Sequence, residues 1–139
     1  MVLKKVIATN VEAARTTAEE VLGTLQANGY ANSTLFAIRL ALEEALVNAI
    51  KHGNRLDPRR RIRLWADIDE RQVRITVADE GTGFDPAAVP DPTADENLEK
   101  PCGRGIMLMR AYMDEVEYNA RGNEVCMVKR RPPAPPEGA

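Results

Sequence analysis

Three short stretches hold residues whose types and spacing could do chemistry. In LALEEALVNAIKHGN, Leu40 to Asn54, Glu44, Asn48 and His52 stand four residues apart. On a helix that spacing stacks them along one side, with Lys51 beside them. A carboxylate and an amide one turn apart suit a hydrated Mg²⁺. The amide oxygen is a neutral hard ligand, and the carboxylate binds a water or accepts a proton. In ADEGTGF, Ala78 to Phe84, Asp79 can accept a hydrogen bond from an exocyclic amine such as that of adenine. Gly81 and Gly83 let the backbone approach a ligand closely. In CGRGIML, Cys102 to Leu108, Gly103, Arg104 and Gly105 lead into a helix. Its first N–H groups and dipole would face an anion, with Arg104 adding charge. Each stretch alone also reads plainly, as the wet side of a helix or a glycine turn beside a strand or helix.

Other chemistries find little material. No G-x-x-x-x-G-K-[ST] occurs, and no glycine fingerprint follows a first strand. One serine, Ser33, and one histidine leave a Ser-His-Asp triad poorly supplied. Cys102 and Cys126 are too few and too far apart for a disulfide framework or a zinc site, which suggests reduced thiols and a cytoplasmic setting. The net charge of −2 gives no global drive toward nucleic acid. The basic run Arg55 to Arg63 reads as a solvated loop, and with 4% aromatic residues it lacks the interleaved rings of a single-strand binder. The N-terminus lacks a signal-peptide pattern, and no segment approaches the ~20 apolar residues that cross a bilayer, so no membrane association is expected.

The elements that must position these residues follow from periodicity. Val2 to Ala8 reads as a strand, and Asn10 can cap a helix over Val11 to Asn28 that Gly29 stops. Asn32 or Ser33 can cap a second helix, buried through Leu35, Ile38, Leu42, Ala45, Leu46, Ala49 and Ile50, with Gly53 at its end. RIRLWADID and QVRITVADE alternate with period two and form a hairpin across Glu70-Arg71. A third helix in GRGIMLMRAYMDEV precedes a second hairpin, EVEYNA and NEVCMVKRR, joined through Arg121-Gly122. This order predicts a two-layer α/β sandwich, helices on one face of a mixed, mostly antiparallel sheet. At 139 residues the chain reads as one domain, over 1–131. Eight of nine prolines fall in Pro86 to Pro101 or in Pro132 to Pro136. These segments read as an irregular lid over about 85–101 and a disordered tail over 132–139.

In order, the three stretches are far more specific than singly. The chain resembles the GHKL ATPase superfamily, whose members share an ATP-binding, histidine-kinase-like α/β sandwich. EALVNAIKHG looks like its N box, DEGTGF its first glycine box, and GRGIMLMRAYMDEV its second with the following helix and strand. Among its members the chain looks most like bacterial anti-sigma-factor serine kinases, which bind a sigma factor and phosphorylate a serine of a small antagonist protein. The resemblance implies ATP and Mg²⁺ as cofactors. It makes Glu44 the general base, Asn48 the Mg²⁺ ligand, and Asp79 the reader of the adenine amine. Gly81, Gly83 and Phe84 belong to the wall around the base, and Gly103, Arg104, Gly105 and Ile106 to the segment that closes on the phosphates. Lys51 and His52 lie where the family places polar residues near the triphosphate. A homodimer is likewise what the resemblance implies. An ATP-binding switch without kinase activity is the alternative, against which the retained Glu44 speaks.

Overall fold

A computed structural model describes residues 1–81 and 101–131, the side chains of 101–106 excepted. The elements are β1 (Val2–Ala8), α1 (Val11–Ala27), α2 (Asn32–Asn48) with a π-helical last turn (Ala49–Gly53), β2 (Arg61–Ile68), β3 (Gln72–Ala78), α3 (Pro101–Tyr112), β4 (Glu115–Tyr118) and β5 (Glu124–Arg130). The strands form one sheet in the order β1-β2-β3-β5-β4. All four pairings are antiparallel, so the mixed sheet expected from the sequence is antiparallel throughout the described residues. The second hairpin inserts with β5 inward, because β5 carries the buried Val125, Met127 and Val128 while β4 has no buried residue.

Alternation decides the layers. Ile62, Leu64, Ala66 and Ile68 of β2 and Val73, Ile75 and Val77 of β3 are buried toward the helices, while Arg61, Arg63, Asp67 and Arg74 are exposed. Against that face lie Val21, Leu22 and Leu25 of α1, Ile38, Leu42 and Leu46 of α2, and Met109 of α3. Asn10 caps α1 as its type predicts, accepting from the Ala13 N–H at 2.7 Å. Gly29 leaves the helix at φ 84°, the left-handed position that favours glycine. The expected cap of α2 at Asn32 or Ser33 does not form. Both residues lie inside the helix, and Ala31 precedes it without a side-chain cap. The first hairpin closes on Asp69, whose Oδ1 accepts from the Arg71 and Gln72 N–H groups at 2.7 and 2.8 Å. The proposed lid and tail lie outside the described residues, except that Pro101 already opens α3, where proline's fixed φ suits a first helical turn.

Candidate functional site

Asp79 is the first residue past β3. Its N–H donates to the Asn123 carbonyl at 2.9 Å, and its Oδ1 accepts from the Gly81 N–H at 2.8 Å. Two glycines make room for the carboxyl. A Cβ on Gly53 would stand 2.2 Å from both Cγ and Oδ2 of Asp79, and one on Gly81 would stand 2.0 Å from the Gly53 carbonyl oxygen. The helix end, the strand exit and the carboxyl therefore occupy one tight junction. Burial pushes the Asp79 carboxyl above the ordinary aspartate value, and the Gly81 N–H and the charge of Arg60 oppose the rise.

Asn48 ends the regular part of α2. It is only 9% exposed, and its buried Nδ2 has no hydrogen-bond partner among the described residues. A buried amide hydrogen left open costs about 1–3 kcal/mol, so the Nδ2 is available to a partner outside the described residues. Asn48, His52 and Asp79 line one open cleft. Its apolar walls are Ala45, Ala49, Val77 and Val125, and the Tyr118–Asn123 turn region closes one side. Apolar walls with a few fixed polar groups suit a flat heterocycle with a hydrogen-bonding edge.

Part of the expected ladder meets in the cleft, and the part that spans the π-helical turn is the part that does. Asn48 and His52 share the cleft, whereas Glu44, half-buried one turn back, and Lys51, exposed, are outside its described lining. Gly81 is buried at the junction. Gly83 and Phe84 lie outside the described residues. Gly103, Arg104, Gly105 and Ile106 fall within α3 rather than before it, since the helix begins at Pro101; their side chains are outside the described set. No group of three or more His, Cys, Asp or Glu residues suited to a metal occurs among the described residues. A metal here would rely on the Asn48 amide and on ligands brought by the nucleotide. Sequence reasoning placed Gly53 only as a helix end and passed over Asn54 and Thr9, which are buried polar partners at the same junction.

Residues 7–129 match the family described as the histidine kinase-like ATPase domain. The chain belongs to that family. It is 33% identical over 99 residues to an anti-sigma F factor of Clostridium perfringens, covering 67% of this chain and 70% of that one. It is 26% identical over 114 residues to a serine-protein kinase RsbW of Oceanobacillus iheyensis, covering 78% and 72% respectively. The fold matches a crystal structure of RsbU and RsbW domains from Mycobacterium tuberculosis with a TM-score of 0.66 at 20% identity, over 96% of this chain and 34% of that chain.

Proposed function

We propose that the chain is a protein-serine kinase dependent on ATP and Mg²⁺ and acting as an anti-sigma factor. It would bind a sigma factor and phosphorylate a serine of a small antagonist protein. The observation that carries this reading is the shared cleft of a half-buried, glycine-cradled carboxylate and a buried amide whose Nδ2 has no partner among the described residues. The names of the similar anti-sigma F factor and RsbW proteins support it. Asp79 accepts the adenine amino hydrogen, and the apolar walls receive the ring. The Asn48 amide oxygen would hold Mg²⁺, and His52, which lines the same cleft, would lie near the phosphates. When bound, Mg·ATP supplies the γ-phosphoryl group and neutralises its charge. Glu44 would take the proton of the attacking serine hydroxyl as the serine oxygen bonds to phosphorus and ADP leaves. By the family resemblance, Gly103, Arg104, Gly105 and Ile106 would be assigned to the phosphates, and Lys51, Gly83 and Phe84 to the remainder of the nucleotide site. The chain would work in the cytoplasm, as a homodimer, without touching nucleic acid. Among the described residues no helix is long and apolar enough to cross a membrane.

One observation favours a second reading, an ATP-binding switch without transfer: Glu44 lies outside the described lining of the cleft. Transfer of labelled γ-phosphate to the co-encoded antagonist, measured beside ATP binding, separates the two. Loss of transfer in Glu44→Ala with ATP binding retained supports the kinase and assigns the base. Mg²⁺-dependent binding with no transfer in the wild type supports the switch. A wild type that binds no ATP overturns both.

A further inference from the structure

The backbone is strained where α2 leaves the cleft. After the π-helical turn, Arg55 and Leu56 follow in succession at φ 52° and 60°, a region that branched and long side chains rarely adopt. The last turn is held by the Asn54 N–H donating to the Ala49 carbonyl at 2.7 Å and the Leu56 N–H donating to the Ile50 carbonyl at 2.8 Å. Between these bonds sits the Asn54 side chain, 0% exposed. Its Nδ2 donates to Thr9 Oγ1 at 3.0 Å and to the Arg61 carbonyl at 3.1 Å. Its Oδ1 accepts the Glu80 N–H at 2.7 Å. Thr9 Oγ1 in turn donates to the Arg60 carbonyl at 2.6 Å. Both amide hydrogens are used and the oxygen accepts one bond, so the side chain ties together the end of β1, the start of β2, the helix end and the exit of β3. A second tie runs the other way, from the Arg61 N–H to the Glu80 carboxylate.

We propose that Asn54 is a positioning residue for base recognition. By holding the Glu80 N–H its side chain fixes the backbone one residue past Asp79, and by anchoring the helix end to Thr9 and to the Arg61 carbonyl it fixes the adjacent Gly53 wall against which the Asp79 carboxyl rests. The inference rests on the adenine-reading role given to Asp79 above. A carboxylate that accepts one amine hydrogen needs its oxygen placed to within a few tenths of an ångström. The amide that locks both sides of its seat therefore acts on nucleotide choice as well as on stability. Asparagine is required because the site presents two acceptors and one donor. Aspartate has nearly the same shape but would set an anion against the Arg61 carbonyl with no hydrogen to give it.

The test is calorimetric binding of ATP and of GTP to wild type, Asn54→Ala, Asn54→Asp, Thr9→Val and Thr9→Ser, at a temperature where circular dichroism shows each folded. Asn54→Ala weakens ATP about tenfold and cuts the ATP-over-GTP preference by a similar factor, as expected when a positioned hydrogen bond is lost. Asn54→Asp has the larger effect. Thr9→Val, which removes one partner of the amide, moves both readouts the same way by a smaller factor, and Thr9→Ser restores them. Where Asn54→Ala does not fold, the Thr9 pair decides. Folded variants with wild-type ATP affinity, or with equal loss of ATP and GTP, overturn the positioning role and leave the nucleotide reading intact. A wild type that binds no ATP, or shows no preference for it, overturns that reading and this inference together.

Discussion

Gly53→Ala is the sharpest perturbation of the site. The added methyl would begin 2.2 Å from Asp79 Cγ and Oδ2 and 2.6 Å from Oδ1, where real contacts need at least 3.0 Å and ordinary ones 3.4 Å or more. The carboxyl must therefore move by about 1 Å, enough to break a hydrogen bond whose donor–acceptor distance tolerates only a few tenths. A hydrogen bond to a charged group contributes ~1.5–3 kcal/mol, so ATP affinity should fall between about tenfold and a hundredfold. Stability should suffer much less. Gly53 is not among the described glycines of positive φ, so alanine meets no backbone strain there. The obstacle is the end of a short side chain that can turn aside, at a cost of roughly 2 kcal/mol or less. That lowers the midpoint of thermal unfolding by about 5 °C. Gly81→Ala is the counterpart. Its methyl would begin 2.0 Å from the Gly53 carbonyl oxygen and 2.6 Å from the carbonyl carbon, backbone atoms that have no rotamer to escape into. Here the stability loss should reach about 3 kcal/mol, near 8 °C or more. Differential scanning calorimetry and ATP titration on the same preparations give both numbers. Gly53→Ala protein that binds ATP with wild-type affinity refutes the reasoning, because a displaced Asp79 could not be the adenine contact. A fall in unfolding midpoint as large as that of Gly81→Ala would refute the premise that the side chain, and not the backbone, gives way.

Asp79→Asn keeps an oxygen for the Gly81 N–H but removes the charge whose burial raises the carboxyl above 3.8. A raised folded value means that the stability this group contributes is fully present below pH 3.8 and lost as pH rises through the folded value. The variant should therefore unfold at or above the wild-type temperature at pH 7, lose that advantage in thermal scans toward pH 4, and bind ATP poorly throughout. Gly23→Ala, in α1 with nothing within 4 Å of the new methyl, should stabilise the chain by about 0.5–1 kcal/mol and leave nucleotide binding unchanged in the same titration. Asn10→Ala removes the α1 cap and should cost about 1 kcal/mol in urea unfolding, again with ATP affinity unaffected.

What was legible in the sequence is what a few neighbouring residues decide among themselves. Alternation over Arg61–Ile68 and Gln72–Ala78 fixes which face of each strand is buried, and Asn10 and Gly29 mark the ends of α1, because each signal acts within one turn or one pleat. The cap of α2 and the pairing of β5 with β3 were not legible in the same way. The first depends on where the chain leaves Tyr30, buried in the core. The second joins residues about fifty apart, such as Ile75 and Met127, whose partnership depends on the whole layer. The site divides along the same line. Asn48 and Asp79 stood out because an amide in an apolar helix and a carboxylate before a glycine turn are unusual on their own. Gly53 and Asn54 did not, since a helix end followed by HGN is ordinary. Of the Glu44–Asn48–His52 ladder, Glu44, one regular turn before Asn48, is outside the described lining of the cleft, while Asn48 and His52 share it across a π-helical turn that regular spacing does not foretell. That turn continues into two left-handed residues, Arg55 and Leu56, neither of a type that selects such a conformation. Local preference therefore opposes the geometry that seats Asp79, and the buried bonds of Asn54 to three other segments, with the backbone bonds of the turn, hold it. A junction stabilised against its own local preferences becomes visible only once the distant strands that stabilise it are in place.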